Sequence, residues 1–310
     1  MSNKWKLFWA ASLAFVVLFQ ACGMHSWEET IISKADEKKM GREYDSLIRI
    51  GHKDVMAAGE SIFIPNPNDQ AQMNFYNFYQ ERAKEIVNAI RPKDLEALLP
   101  TGNECNKKKC TKDNFFEFNL INSKQVNAFA VPGGYVYFYT PILKEFKSES
   151  ELSCVLAHEV GHIVMHHSRE RMVKQVGVSI IIDALLGDGI GGLLASLGTS
   201  IWLMGHSQEN EFEADSLGFY YTDKIGISSR GLSHFFARGL KSYDHDTGKC
   251  DEKKEGSILD VFSTHPPSCE RVNRNRNLVL SSGQTEKSHP LNKHHINGKY
   301  YSDLVEAAGF

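Results

Sequence analysis

The chain has 310 residues, 42% of them hydrophobic and 24% charged, with a formal net charge of -3. Such a balance is ordinary for a globular protein that can bury a substantial core as one large domain or two small ones. It leaves no electrostatic case for nucleic-acid binding, and the short Lys107-Lys108-Lys109 run reads as a solvated loop.

At the start of the chain, Lys4 and Lys6 precede an apolar stretch from Leu7 to Phe19. That stretch has the length of a signal-peptide core and falls short of the roughly 20 apolar residues of a comfortable membrane span. The following Ala21-Cys22 looks like a lipoprotein processing site, although Phe19 and Gln20 stand where an aliphatic and a small residue are usual. The expectation is a signal peptide over 1–21, diacylglycerol on Cys22 and a tether over 22–34. Ordinary secretion and an uncleaved anchor are the alternatives, and all three put the remainder outside the cytoplasm.

Five further cysteines follow. Cys105 and Cys110 flank four polar residues and can close a local disulfide in an oxidising compartment, and Cys250 can pair with Cys269. Cys154 is then left over among apolar neighbours, which favours a buried structural thiol over a nucleophile.

From Ala35 to Ile50 the pattern is helical, and a second helix is expected over 69–90, where Met73, Tyr76, Tyr79, Ala83, Ile86 and Val87 recur at helical spacing. Phe115–Ile121 and Tyr135–Tyr139 are rich in aromatic and β-branched residues, with a Pro132-Gly133-Gly134 turn ahead of the second, so two or three strands belong here. Ser148 begins a further helix, with acids in its first turn, expected to run to about Met172. Between Gly189 and Gln208 there is no Asp, Glu, Lys or Arg, and glycines recur throughout. The glycines weaken a spanning helix, so residues 175–208 read as an apolar helical hairpin that covers the site or rests on the membrane surface. Residues 281–310 form a tail whose placement stays open.

The chemistry lies in His158-Glu159-Val160-Gly161-His162, an HExxH pattern inside the helix that Ser148 begins. Positions i and i+4 share one helix face, so both imidazoles can converge on one ion. Glu159, one residue out of step, can reach a water beside the metal and act as its general base. Neutral imidazole with carboxylate suits zinc, one ion per chain. Glu211 and Asp215 again stand four apart, so Glu211 can be the third ligand while Asp215 orients a ligand imidazole. Glu209 and Glu213 point elsewhere on that helix and read as solvated; His166 and His167 read as surface or packing residues. In Ser263-Thr264-His265-Pro266-Pro267 the prolines hold an extended segment. His265 can fill an open metal position, hydrogen-bond a tetrahedral intermediate, or be only a loop histidine.

Taken together, HEVGH, the Glu211–Gly218 stretch and the His265–Ser268 run with Arg271 resemble peptidase family M48, the group of CAAX prenyl proteases, HtpX-type membrane proteases and BepA-like periplasmic metallopeptidases. Glu37–Gly41 resembles the family's early helix and Asn127–Gly134 the strand before its catalytic helix, so the likeness spans residues 35–280. It implies an α+β, mostly helical gluzincin-type domain with a small β-sheet next to the HExxH helix. It also implies a zinc endopeptidase, with Arg271 beside His265 as a further ligand or transition-state stabiliser. Asn127, Ala128, Phe129 and Ala130 would form a strand for an extended substrate. The chain has none of the later membrane helices of the multi-span branches, which favours a periplasmic, membrane-anchored lipoprotein, on the outer membrane by preference. Its expected partners are unfolded or misassembled envelope proteins and, through the lipid, the membrane. A non-proteolytic metal-binding chaperone, a thiol hydrolase built on Cys154 and a structural lipoprotein are the competing readings.

Overall fold

A computed structural model describes residues 28–100, 112–187, 189–244, 249–250, 264–293 and 300–310. The expected signal peptide, Cys22, Cys105 and Cys110 lie outside the described residues, as does the side chain of Cys250. Cys269 is disulfide-bonded, and Cys154 is a free, buried thiol.

The order begins with helices α1 (Glu28–Ile31) and α2 (Lys34–Arg49), strand β1 (Ser61–Ile62), and helices α3 (Gln70–Asn88), α4 (Pro92–Leu98) and α5 (Lys112–Phe115). Strands β2 (Glu117–Asn122), β3 (Ala128–Val131) and β4 (Tyr135–Tyr139) follow, then the short helix α6 (Ile142–Glu145) and the central helix α7 (Glu149–Val164). Helices α8 (His167–Val176), α9 (Val178–Leu186), α10 (Ile190–Leu197) and α11 (Ser200–Leu203) lead to α12 (Gln208–Lys224) and α13 (Arg230–Gly239). A two-residue ladder β5–β6 (Tyr243–Asp244 with Lys249–Cys250), α14 (Cys269–Ser282) and α15 (Tyr301–Ala307) complete it.

The main sheet has the order β1-β2-β4-β3, with β2 and β4 parallel and the outer strands antiparallel to their neighbours. Side chains alternate between two cores. Leu120, Ala128, Ala130, Val136 and Phe138 join a core with α3, α7 and α13, while Ile121, Phe129, Val131, Tyr135, Tyr137 and Tyr139 join a second with α2 and the 176–203 segment. With both faces covered, β4 is buried at all five positions and reads as an unbroken aromatic and aliphatic run. The fold is therefore the expected helical α+β domain with a small sheet against the HExxH helix.

Several boundaries differ from the sequence pattern. Within the stretch expected as a tether, Glu28–Ile31 is helical and Ile32 is fully buried in the second core. The helix expected from Ser148 to Met172 is broken at His166, which adopts a left-handed backbone (φ 56°) and places Nδ1 2.6 Å from Glu37 Oε2. The expected hairpin over 175–208 is three short helices, interrupted by Gly187, Gly189 and Gly198. Among the described residues, no helix is long and apolar enough to cross a membrane. The C-terminal α15 docks on the core: Tyr301 is buried and donates its hydroxyl to Leu143 O at 2.7 Å.

Candidate metal centre

Each helix that carries the site begins on a serine cap. Ser148 accepts from Glu151 N, Ser207 from Asn210 N and Ser268 from Arg271 N. Such caps satisfy first-turn amides and define where each helix starts. The two acids in the first turn of α7 are buried and paired, Glu149 with Arg82 at 2.6 Å and Glu151 with Arg238 at 2.5 Å.

Small residues let α7 and α12 cross closely. A side chain on Gly161 would meet the Ala214 backbone at 3.0 Å, and one on Gly218 would meet His158 N at 3.3 Å. This contact brings the HEVGH turn against Glu211 and Asp215, two segments about fifty residues apart in the chain.

His158 Nε2 and His162 Nε2 lie 3.0 Å apart, and each is 3.5 Å from an oxygen of Glu211. A tetrahedral zinc with bonds of about 2.0–2.1 Å requires ligand atoms about 3.3 Å apart. Donor type and spacing therefore fit such an ion, and His158, His162, Glu211 and His265 together offer four atoms within 4.8 Å of one another.

Asp215 Oδ1 lies 2.9 Å from His158 Nδ1, close by distance although not in line with the N–H direction. Arg271 is fully buried and grips Asp215 through Nε at 2.9 Å and a terminal nitrogen at 2.7 Å, while its other terminal nitrogen lies 2.6 Å from Glu211. Burial alone would raise both carboxyls. The guanidinium overrides it and holds Glu211 well below the usual carboxylate range, with Asp215 lowered as well. Asn275 completes the Asp215 shell with a hydrogen bond at 3.2 Å.

Glu159 is buried on the same turn, and neither oxygen accepts a hydrogen bond of good geometry. His265 Nε2 is 3.1 Å from Glu159 Oε1, an ion-pair contact, while Nδ1 of the same ring lies 3.0 Å from Glu211 Oε1 and 3.1 Å from His158 Nε2. Although burial opposes a charge there, the two carboxylates push His265 up to about 10. A small cavity of about 20 Å³ opens beside Glu159 and His265, walled by Ile142, Val155, Leu232, Phe235 and Phe236.

Two further histidines approach the site, His167 and the one the sequence reading left out, His206. His167 is buried, and its Nδ1 lies 2.7 Å from His162 Nδ1, while its Nε2 lies 3.1 Å from Glu213 Oε2. Of the two readings, surface or packing, the buried one holds for His167, and Glu213, 53% exposed, is paired with it. His206 stacks on His162 with ring centroids 3.8 Å apart and contacts Arg171. The break at His166 turns α8 back beneath the site, and helical spacing counted along one uninterrupted helix misses it.

The family model described as peptidase family M48 matches residues 95–279, more than half of the chain. The chain belongs to peptidase family M48. Within it, the chain is 33% identical over 174 residues to the beta-barrel assembly-enhancing protease of Yersinia pestis, covering 52% of this chain and 34% of that relative. It is 27% identical over 172 residues to metalloprotease LoiP of Escherichia coli, covering 54% of this chain and 64% of LoiP. To the mitochondrial metalloendopeptidase OMA1 of Arabidopsis thaliana it is 28% identical over 156 residues, covering 50% of this chain and 30% of OMA1. The chain thus spans less than two thirds of each of these relatives. The M48 match covers the HEVGH turn, Glu211, Asp215, His265 and Arg271 alike.

Proposed function

We propose that this M48 member is a zinc endopeptidase of the cell envelope that hydrolyses unfolded or misassembled proteins. The observation that supports it most is the tetrahedral spacing of His158, His162 and Glu211, with the unbonded Glu159 carboxylate beside them. When bound, a zinc ion polarises the scissile carbonyl and acidifies water. Glu159 accepts a proton from the attacking water and passes it to the leaving amine, as the water oxygen joins the carbonyl carbon and the C–N bond breaks. Asp215 and Arg271 hold His158 and Glu211 in place.

The β3 edge is read as the docking strand, because backbone pairing binds extended chains without strong sequence preference. In this structure two backbone groups of that strand are already engaged by side chains. Asn127 Oδ1 accepts from Ala128 N at 2.8 Å and from Thr264 Oγ1 at 3.0 Å, and Ser168 Oγ donates to Ala130 O at 3.2 Å. Thr264 precedes His265, so the residue that holds Asn127 at the head of the strand stands next to the imidazole set against Glu159. We read this as a latched form that a substrate strand opens. The envelope setting rests on the leader and Cys22 and on the relative named for beta-barrel assembly.

Glu159→Gln separates this reading from a metal-holding chaperone. The variant should keep one zinc per chain while cleavage of an unfolded protein falls at least ~10²-fold. Wild-type cleavage by the Gln variant would end the proposal.

A further inference from the structure

Among the described residues, five of the ten most exposed large hydrophobic ones lie in one segment: Val178, Ile180, Ile182, Leu186 and Met204. On α9, Ile181 is buried and Ala184 and Leu185 pack against the second core, while Val178, Ile182 and Leu186 repeat every four residues on the outer side. Leu186 is 83% exposed and Ile180 52%. Ser179 and Asp183 are exposed on the same outer side, so that side carries four exposed aliphatic residues with one serine and one acid among them.

The fold also indicates what covers it. Helix α1 packs against α8 and α9, and Ile32 shares the core that holds Ile181. The chain therefore enters the fold beside the exposed stripe. Only five residues lie between Cys22 and Glu28, a reach of at most about 20 Å of extended chain, and the apolar Leu7–Phe19 stretch lies just before Cys22. Any anchor at Cys22 or within that stretch keeps this face close to the bilayer. The segment between Gln175 and Asp223 contains no Lys or Arg, so attraction to anionic headgroups is not what seats it.

We infer that α9, with Met204 from the end of the segment, is a membrane-seating surface that lies in the boundary between headgroups and acyl chains. The inference rests on the envelope setting of the proposed function, through an anchor at Cys22 or in the leader, and not on proteolysis. Seating here also orients the site. Arg171 on α8 donates to the carbonyls of Ile201 at 3.2 Å and Trp202 at 2.8 Å and contacts His206, which stacks on His162. The membrane-facing segment and the metal cluster are thereby joined through one buried side chain.

The test uses the full chain in vesicles of uncharged phosphatidylcholine, with an environment-sensitive fluorophore on I180C, L186C or the control L280C. Leu280 is 75% exposed on α14, and labelled wild type serves as the blank for native thiols. Vesicles that contain acyl-chain nitroxide should quench the label at 180 and 186 by more than about half and leave 280 unchanged, in low and high salt alike. A chain that floats with vesicles without quenching at 180 and 186 overturns the seating and leaves the anchoring intact. A chain that does not float overturns both. Shielding of 180 and 186 that needs no vesicles and grows with protein concentration assigns the face to a second copy and overturns the inference.

Discussion

His265 bridges the two chemically distinct carboxylates of the site: its Nε2 lies 3.1 Å from Glu159 Oε1 and its Nδ1 3.0 Å from Glu211 Oε1. One ring therefore touches both the proposed base and a proposed ligand. As a latch it competes with substrate and water, so His265→Ala is expected to raise cleavage of an unfolded protein about tenfold, with one zinc per chain retained. Initial rates on a quenched-fluorescence unfolded substrate, read beside metal content, check this. Unchanged rate and unchanged zinc affinity would remove His265 from the mechanism.

His167 stands to His162 as Asp215 stands to His158, a partner at the nitrogen turned away from the metal. Losing such partners costs metal affinity roughly 10–100-fold. His167→Ala should therefore shift zinc competition against a chelator by that factor, while Glu213→Gln, altering a half-exposed group, should shift it far less. Equal zinc retention in wild type and His167→Ala would reduce His167 to a packing residue.

Arg271 is the one cation gripping both Asp215 and Glu211 among the described residues. Removing one partner from a buried ion pair leaves a charge uncompensated and costs about 3–5 kcal/mol. Arg271→Met should lower the urea stability of the metal-free protein by that order. Arg271→Lys should recover only part of it, because an ammonium lacks the guanidinium's forked geometry. Stability equal to wild type in the Met variant would contradict the buried network.

Cys154 separates the metal reading from the thiol reading. It is buried, with Sγ 3.6 Å from Ser228 O, and burial pushes its thiol up to about 12. At pH 8 roughly one thiol in ten thousand is then ionised, and the fraction rises only as the pH approaches 12. Iodoacetamide at pH 8 should leave cleavage of unfolded protein intact, whereas a zinc chelator abolishes it and added zinc restores it. Sensitivity to the alkylating agent together with insensitivity to the chelator would favour the thiol.

Local chain geometry made part of this protein legible without a structure. A helix repeats every 3.6 residues, so His158 with His162, and Glu211 with Asp215, had to share faces wherever those helices lay. The Ser148 cap and the Tyr79, Ala83, Ile86 and Val87 part of the α3 stripe were readable for the same reason, since caps and periodicity involve neighbours in the chain. Tertiary structure decided what depends on residues far apart. Gly161 against Ala214 sets the distance at which the two faces meet, and Asn127 reaches Thr264 across 137 positions. The left-handed turn at His166, stabilised by Glu37 from a distant helix, swings His167 under His162. No pattern within one segment encodes such contacts, because their energy comes from packing between elements that the sequence does not juxtapose.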